Sequence, residues 1–292
     1  VSSFDPPARS LRHLREETVA RLAAAGVPDP EVDAELLLGH VMGLSRGGVQ
    51  AKLVVGAEVP DAEVATLDGL VARRVRREPL QHLTGRAAFR SLELRVGPGV
   101  FVPRPETEQV TELAVEALRA VAAPEPVAVD LGSGSGAIAI ALATEVPHAR
   151  VYAVEKSDDA IDWTRRNVEE LAGSNLTLVH GDLADALPEL DGGVDLVISN
   201  PPYVPDEAVP RDPEVWLHDP AMALYGGADG LDVVRVLSQR ALRLLRPGGL
   251  LVIEHGELQA APIAALLAGD GWRGISHHRD LTARDRATTA LR

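Results

Sequence analysis

Asn200-Pro201-Pro202-Tyr203 sets an amide side chain, two residues without N–H groups and an aromatic ring in four consecutive positions. Each proline drives its predecessor into extended backbone and donates nothing. The segment is therefore a stiff turn that presents an amide oxygen, carbonyls and a ring face. Such a set can hold a planar group carrying an NH2, an amide or a nucleobase, by accepting its two hydrogens. The bland alternative is an ordinary proline-rich strand exit. What weighs against it lies upstream.

Val127-Ala128-Val129-Asp130-Leu131 reads as a strand that enters Gly132-Ser133-Gly134-Ser135-Gly136, and Ala137 to Ala143 opens a buried helix. Glycines at such a turn adopt positive φ freely and let a ligand approach the backbone. The next strand, Arg150 to Val154, ends in Glu155. An acidic residue roughly twenty positions after a glycine turn suits two ribose hydroxyls. A third strand, Leu176 to His180, leads to Gly181-Asp182, and Asp182 can accept from the exocyclic amine of adenine. The spacing Gly132-x-Gly134-x-x-Ala137 also satisfies the dinucleotide fingerprint, so the turn alone leaves nicotinamide dinucleotide and S-adenosylmethionine open. Asp182 and the Asn-Pro-Pro-Tyr turn favour S-adenosylmethionine, because a dehydrogenase has no evident use for an amide clamp.

These residues need elements to position them. Val194 to Ser199, just before Asn200, is an apolar run of the kind that forms a buried parallel strand. Leu250 to Glu254 reads as a fifth strand, preceded by an amphipathic helix from Asp229 to Arg246 that Pro247-Gly248-Gly249 closes; weaker strand signals follow near Gly274–His278 and Ala287–Leu291. Strands and helices alternate from Pro105 onward, which implies an α/β fold: a Rossmann-like parallel sheet with helices on both faces. Ahead of it the chain reads as helical, with helices over Ser10–Ala25, from Asp33 to near Gly43, and over Ala62–Arg77. The expected organisation is a helical substrate-recognition domain over 1–84, a hairpin or linker over 85–104 and the catalytic domain over 105–292. The long Pro- and Asp-rich stretch between Tyr203 and Gly230, with Trp216, His218 and Tyr225, is of a length usual for lids and binding loops.

Composition narrows the classes. Among 292 residues none is cysteine, which removes disulfides and thiolate metal sites, and the nine histidines are scattered without ligand spacing, so no metal is expected. Asp and Glu outnumber Lys and Arg by 43 to 29, a formal net charge of -14, which argues against a protein that tracks nucleic-acid phosphates. No apolar stretch is long enough to span a membrane and no signal-peptide pattern is present, so a cytoplasmic protein without a membrane partner is expected. Arg73-Arg74-Val75-Arg76-Arg77 reads as a solvated helix face, with a docking patch for an acidic partner as the second reading.

Taken together the chain resembles the release factor glutamine methyltransferases (the HemK or PrmC family) over nearly its whole length. The resemblance rests on Pro79-Leu80-Gln81-His82-Leu83-Thr84-Gly85, Phe101-Val102-Pro103-Arg104-Pro105-Glu106-Thr107-Glu108, Asp130-Leu131-Gly132-Ser133-Gly134-Ser135-Gly136, Ser199-Asn200-Pro201-Pro202-Tyr203, Arg246-Pro247-Gly248-Gly249, Glu254-His255-Gly256 and Arg279-Asp280-Leu281. It implies methyl transfer from S-adenosylmethionine, leaving S-adenosylhomocysteine, to the side-chain amide nitrogen of the glutamine in the Gly-Gly-Gln motif of peptide chain release factors. It also implies that Gly132 to Gly136 and Glu155 hold the cofactor, that Asp182 and Leu183 flank its adenine, and that Asn200 to Tyr203 hold the substrate glutamine. Some members carry a tryptophan where Leu183 stands; leucine offers apolar contact without ring stacking, and Phe101 is a candidate to add to it.

On the residues themselves, Asn200 Oδ1 and the Pro201 carbonyl would each accept one amide hydrogen, with Tyr203 against the amide plane and Pro202 keeping the turn stiff. Those bonds strengthen as charge develops on nitrogen, which stabilises the transition state. His180, His218 and His255 read as structural or surface residues rather than bases. The alternatives are a methyltransferase for a glutamine of a ribosomal protein, a DNA adenine methyltransferase, a non-catalytic nucleotide-binding module and a nicotinamide-dependent dehydrogenase.

Overall fold

A computed structural model describes residues 9–292; residues 1–8, the start of the 1–84 helical segment, lie outside the described residues. The chain forms two compact units. One holds the residues up to Gly85 together with Asp212–His218, and the other holds Arg86–Arg211 and Asp219–Arg292.

The first unit contains β1 (Arg9–Ser10), α1 (Leu11–Ala24), α2 (Pro30–Met42), α3 (Arg46–Val54), β2 (Glu58–Val59), α4 (Asp61–Val75) and α5 (Leu80–Thr84), with β1 and β2 paired antiparallel. Leu11, Leu22, Leu37, Leu38, Val49 and Leu67 form its buried core. α2 starts at Pro30, three residues before the expected Asp33, because proline fits the first helical turn where its missing N–H costs nothing. Gly43, in the left-handed region at φ 64°, ends it. Sequence pattern gave no warning of α3, whose first turn holds Gly47 and Gly48 and whose one buried residue is Val49; the Ser45 side chain starts it by accepting from Gly48 N at 3.1 Å.

The arginine run is only in part the solvated face expected of it. Arg74 is buried; its Nε donates to Asp33 at 2.6 Å and its Nη1 to Glu214 at 2.8 Å. Arg77 donates to both oxygens of Glu214, at 2.8 and 2.6 Å, and Arg73 pairs with Glu78. Only Arg76 of the four is exposed. Arg74 and Arg77 thus belong to internal charge pairs, whereas Arg76, and Arg73 in part, keep the solvent exposure of a helix face. Burial acts to raise the Glu214 carboxyl, yet the bonds from Arg77 and Arg74 outweigh it and hold the group down at about 2.

The second unit opens with the antiparallel hairpin β3 (Arg86–Phe89) and β4 (Leu92–Arg95), then α6 (Pro105–Arg119). There follow β5 (Val127–Leu131), α7 (Ala137–Glu145), β6 (Arg150–Glu155), α8 (Asp158–Leu171), β7 (Leu176–His180) and β8 (Val194–Ser199). After β8 come α9 (Pro213–His218), which belongs to the first unit, α10 (Ala221–Leu224), α11 (Asp232–Leu244), β9 (Leu245–Glu254), α12 (Ala260–Gly269), β10 (Arg273–Arg279) and β11 (Asp285–Leu291). The sheet order is β10-β11-β9-β8-β5-β6-β7; β5 to β9 run parallel, and β11 returns antiparallel on β9. Strand alternation divides the core in two. Ala128, Val151, Leu196 and Ile198 pack with α6, α7 and α8, whereas Val129, Val154, Val197 and Leu251 pack with α11 and α12. None of the helices among the described residues is long and apolar enough to cross a membrane.

The helix expected to run to Arg246 stops at Leu244, and β9 already begins at Leu245. Arg246-Pro247-Gly248-Gly249 is not a terminator but a bulge. Between the pairs Val194–Leu245 and Leu196–Leu250, β9 accommodates extra residues that β8 lacks. Gly248 N donates to Arg292 O and Arg292 N to Gly249 O, at 3.0 Å each, so the chain's end secures the bulge.

Candidate active site

The strand order fixes where a ligand can go. From β5 the chain moves outward through β6 and β7, then returns to lay β8 against the other side of β5. At such a switch point the loops leaving the two central strands diverge and open a crevice at their carboxyl ends. The glycine turn leaves β5 there and Asn200 leaves β8. Ser199 Oγ donates to Leu131 O at 2.5 Å, tying the two exits together. Two motifs almost seventy residues apart in sequence thus meet because their strands are hydrogen-bonded neighbours.

The three glycines of the turn do different work. All have positive φ: 81° at Gly132, 55° at Gly134 and 85° at Gly136. A Cβ at Gly132 or Gly134 would meet nothing within 4 Å, so these two border open space. At Gly136 it would meet Thr164 Cγ2 at 3.0 Å and Ile140 Cδ1 at 3.2 Å, so that position serves helix packing. Thr164 Oγ1 donates to Gly134 O at 2.6 Å, and Asn167 Nδ2 to Ser135 O at 2.8 Å; both come from α8 and hold the turn from behind. Glu155 is nearly buried and accepts from Gly134 N at 2.7 Å and Ser157 N at 2.8 Å. Burial pushes its carboxyl up, partly offset by these backbone bonds. Each oxygen keeps lone-pair capacity beyond the bond it accepts.

Asp130, fully buried at the end of β5, escaped the sequence reading as a site residue. Both of its carboxylate oxygens lack a hydrogen-bond partner among the described residues, as does Ser133 Oγ. Burial first, and the nearby Glu155 charge second, push the Asp130 carboxyl up to about 8. Buried polar atoms left without partners beside the glycine turn are the kind that a bound group satisfies. The signal was present in sequence, as an acid standing immediately before Leu131-Gly132. A cofactor with a cationic group beside a nucleoside fits this cradle.

Asp182 and Leu183 follow β7. Asp182 accepts from Lys156 Nζ at 2.7 Å and Ala184 N at 2.9 Å, and the Lys156 bond holds its carboxyl below the usual range. Leu183 is half-buried against the α11-side core. Phe101 lies on the segment entering α6, with the Arg104 guanidinium 4.9 Å above its ring; no described contact joins it to the glycine turn.

At the β8 exit, Asn200 Nδ2 donates to Thr107 Oγ1 at 3.2 Å, and Thr107 stands in the first turn of α6. With the amide nitrogen turned inward, Oδ1 is the side that faces out. The Pro201 carbonyl receives no hydrogen bond among the described residues. Tyr203 is half-buried, and burial, then the nearby Glu254 charge, push its hydroxyl up to about 12. Its carbonyl accepts from Gln259 Nε2 at 2.9 Å. The loop beyond folds back onto this backbone: Val204 N donates to Leu224 O at 2.8 Å and Gly226 N to Val204 O at 2.9 Å. A Cβ at Gly226 would stand 2.5 Å from Pro202 O, and one at Gly230 would crowd Tyr203 O more closely still. Arg104 donates to the buried Asp219 at 2.5 Å, bracing the segment that carries Thr107. Thr107, Glu254, Arg104 and Asp219 were not foreseen as site residues.

The three histidines differ in setting; the buried His218 Nε2 has no hydrogen-bond partner among the described residues. His255 is buried, with its Nε2 2.8 Å from Thr288 Oγ1, and burial pulls its pKa down. His180 is exposed near Asp158 at 3.3 Å.

The front of the chain, residues 13–85, matches the family model described as the PrmC N-terminal domain, and residues 91–214 match that of the methyltransferase small domain. A release factor glutamine methyltransferase of Streptomyces coelicolor is 52% identical, covering 94% of this chain and 95% of its own. Those of Mycolicibacterium smegmatis and Deinococcus radiodurans are 47% and 44% identical, each covering 97% of this chain and 98% of their own. Among solved structures, the hMettl16 catalytic domain shares the fold with a TM-score of 0.54 at 15% identity, covering 81% of this chain and 84% of that one. A Thermus thermophilus 16S rRNA N2 G1207 methyltransferase does so with a TM-score of 0.52 at 24% identity, over 71% of this chain and 49% of that one. Identity of this order, maintained through both the helical front and the sheet, settles the kinship: the chain belongs to the release factor glutamine methyltransferase family.

Proposed function

We propose that this enzyme transfers the methyl group of S-adenosylmethionine to the side-chain amide nitrogen of the glutamine in the Gly-Gly-Gln motif of peptide chain release factors. The observation that carries the reading is kinship at 41–52% identity over nearly the full chain with proteins of that name. It includes the helical front, where a partner-specific surface would lie. When bound, S-adenosylmethionine supplies an electrophilic methyl group. Everything else falls to the chain's own residues.

Gly132, Gly134 and the ends of β5 and β6 receive the cofactor, with Asp130 offering its unpaired oxygens to the ammonium and Glu155 its spare lone pairs to the ribose hydroxyls. Asp182, Leu183 and Phe101 are assigned to the adenine end. An amide nitrogen is a weak nucleophile because its lone pair is delocalised into the carbonyl. Asn200 Oδ1 and the Pro201 carbonyl each accept one of its hydrogens, Tyr203 backs the amide plane and Pro202 stiffens the turn. Both hydrogen bonds strengthen as the nitrogen becomes positive, so they act on the transition state more than on the bound substrate. The amide proton leaves after the methyl arrives, and no base is required before attack.

Incubation of the protein with methyl-labelled S-adenosylmethionine and a release factor should place label on the factor. Replacement of the Gly-Gly-Gln glutamine should remove it. Label that survives the replacement identifies a different acceptor. A second expected result concerns the cofactor. Glu155→Ala should weaken S-adenosylmethionine binding by about ten- to a hundred-fold in calorimetry, the range for losing hydrogen bonds to a charged acceptor. Unchanged affinity would remove Glu155 from the ribose role.

A further inference from the structure

Glu254 is 2% exposed at the end of β9, and its Oε2 has no partner among the described residues. The strand pairing that sets Ser199 beside Ile253 brings the next residues, Asn200 and Glu254, side by side. The Thr107 and Asn200 side chains lie close enough to the carboxyl to hold its pKa down, and Thr107 Oγ1 accepts from Asn200 Nδ2 at 3.2 Å. The three side chains, from α6, the β8 exit and the end of β9, gather into one polar group behind the clamp.

An ionised carboxylate can only accept. It therefore draws the Thr107 hydrogen toward itself, leaving the Thr107 oxygen as acceptor for an NH2, and takes the NH2 side of Asn200 as well. Both interactions reject the Asn200 carbonyl oxygen. We propose that Glu254 and Thr107 are positioning residues for the transfer, holding the Asn200 amide with its nitrogen inward and its oxygen toward the substrate. This rests on the reading of Asn200 as an acceptor for the substrate amide. With the amide reversed, its NH2 would confront the substrate NH2, donor against donor. Thr107 is thereby given a task within Pro-Arg-Pro-Glu-Thr-Glu: the helix-opening prolines and the Arg104–Asp219 bond place a hydroxyl where Asn200 must be oriented.

The cluster is sensitive to protonation. Burial raises the Glu254 carboxyl to about 7; the nearby Thr107 and Asn200 side chains and the Arg286 charge act to lower it, and Glu106 to raise it. The groups facing it are Glu106 and Thr107 from α6, Asn200 and Tyr203 after β8, and Arg286 from β11; Arg286 is itself paired with Asp280 at 3.3 Å. A protonated Glu254 can donate as well as accept, and the preference for one amide orientation is lost. Turnover that depends on the clamp therefore rises as pH climbs through about 7.

The test compares full-length wild type with Glu254→Gln, Thr107→Val, Thr107→Ser and the Glu254→Gln/Thr107→Val pair, using a release factor as substrate. Glutamine matches glutamate in shape but can donate to Thr107, so Glu254→Gln should lower kcat/KM by about ten-fold or more, the order expected for disturbing one aimed hydrogen bond. S-adenosylhomocysteine affinity should stay within about three-fold, and the step near pH 7 in kcat/KM should vanish. Thr107→Val should show a similar loss and Thr107→Ser should restore activity. The double variant should be no worse than the worse single one, because the residues act as a unit. A Gly-Gly-Gln peptide should also bind the Glu254→Gln protein loaded with S-adenosylhomocysteine more weakly than the wild type, with no turnover involved. Wild-type activity in Glu254→Gln, a pH step that persists there, or additive losses in the double variant would overturn the proposal. Asn200→Ala separates the two ideas. If it is inactive while Glu254→Gln is normal, only the positioning role falls; if it is active, the clamp itself falls.

Discussion

Replacing Asn200 with alanine should lower methyl transfer to a release factor by about a hundred- to a thousand-fold, the range for losing one preorganised transition-state hydrogen bond. S-adenosylmethionine binding should stay within a few-fold, because the glycine turn and Glu155 are carried by β5 and β6 and not by the β8 exit. Calorimetry and a methyl-transfer assay on the same preparations separate the two effects. The loss should fall mainly on kcat, since the missing bond is worth more as the nitrogen becomes positive than in the ground state. Asn200→Asp provides a stringent comparison: it keeps an acceptor but removes the inward donor and sets a second carboxylate against the buried Glu254. It should be no better than alanine. Substantial turnover by the alanine variant would sink the clamp.

The second large effect is on stability. Arg74→Ala removes the cation shared by Asp33 and Glu214, whose side chains are 11% and 14% exposed. Breaking a buried pair by deleting one partner strands the other's charge and typically costs about 3–5 kcal/mol. Urea unfolding should show this as a lowered midpoint for the first unit. Arg76→Ala, an exposed neighbour, should stay within about 0.5 kcal/mol. The pairing also fixes an acid dependence. Glu214 has its pKa lowered from 4.5 to about 2, so its contribution is complete above the ordinary value and is lost as pH falls from there toward about 2. In Arg74→Ala, burial has one fewer opposing bond, and acid unfolding should move to higher pH. A variant as stable as the parent would mean that these charges remain hydrated.

The α/β class and the strands of the sheet were readable because fully buried parallel strands are short apolar runs bounded by turn residues, as Val127–Leu131 and Val194–Ser199 are. The glycine turn and Asn-Pro-Pro-Tyr were readable because each is a contiguous run whose backbone local sequence controls and which carries its own chemical groups. What escaped depends on neighbours distant in sequence. Arg74 looks like any helix-face arginine until Asp33 and Glu214, 41 and 140 residues away, are brought to it. Thr107 and Glu254 acquire a role only once α6 crosses the ends of β8 and β9. Pro247-Gly248-Gly249 carries the composition of a stop, and only the pairing with β8 and the chain's end turns it into a bulge. α3 lacks an apolar stripe and depends on a cap and one buried valine.

Glu214 reaches Arg74 and Arg77 from a segment that the polypeptide makes long after the rest of their unit. At a synthesis rate of about 5–20 residues per second, on the order of ten seconds separate Gly85 from Asp212. During that interval the emerging front helices hold Arg77 without its carboxylate partner. The first unit is therefore completed late, by a strand of chain returning from the methyltransferase sequence. Expressed alone as residues 1–85, that unit would keep its apolar core but lack the carboxylate that joins Arg74 and Arg77.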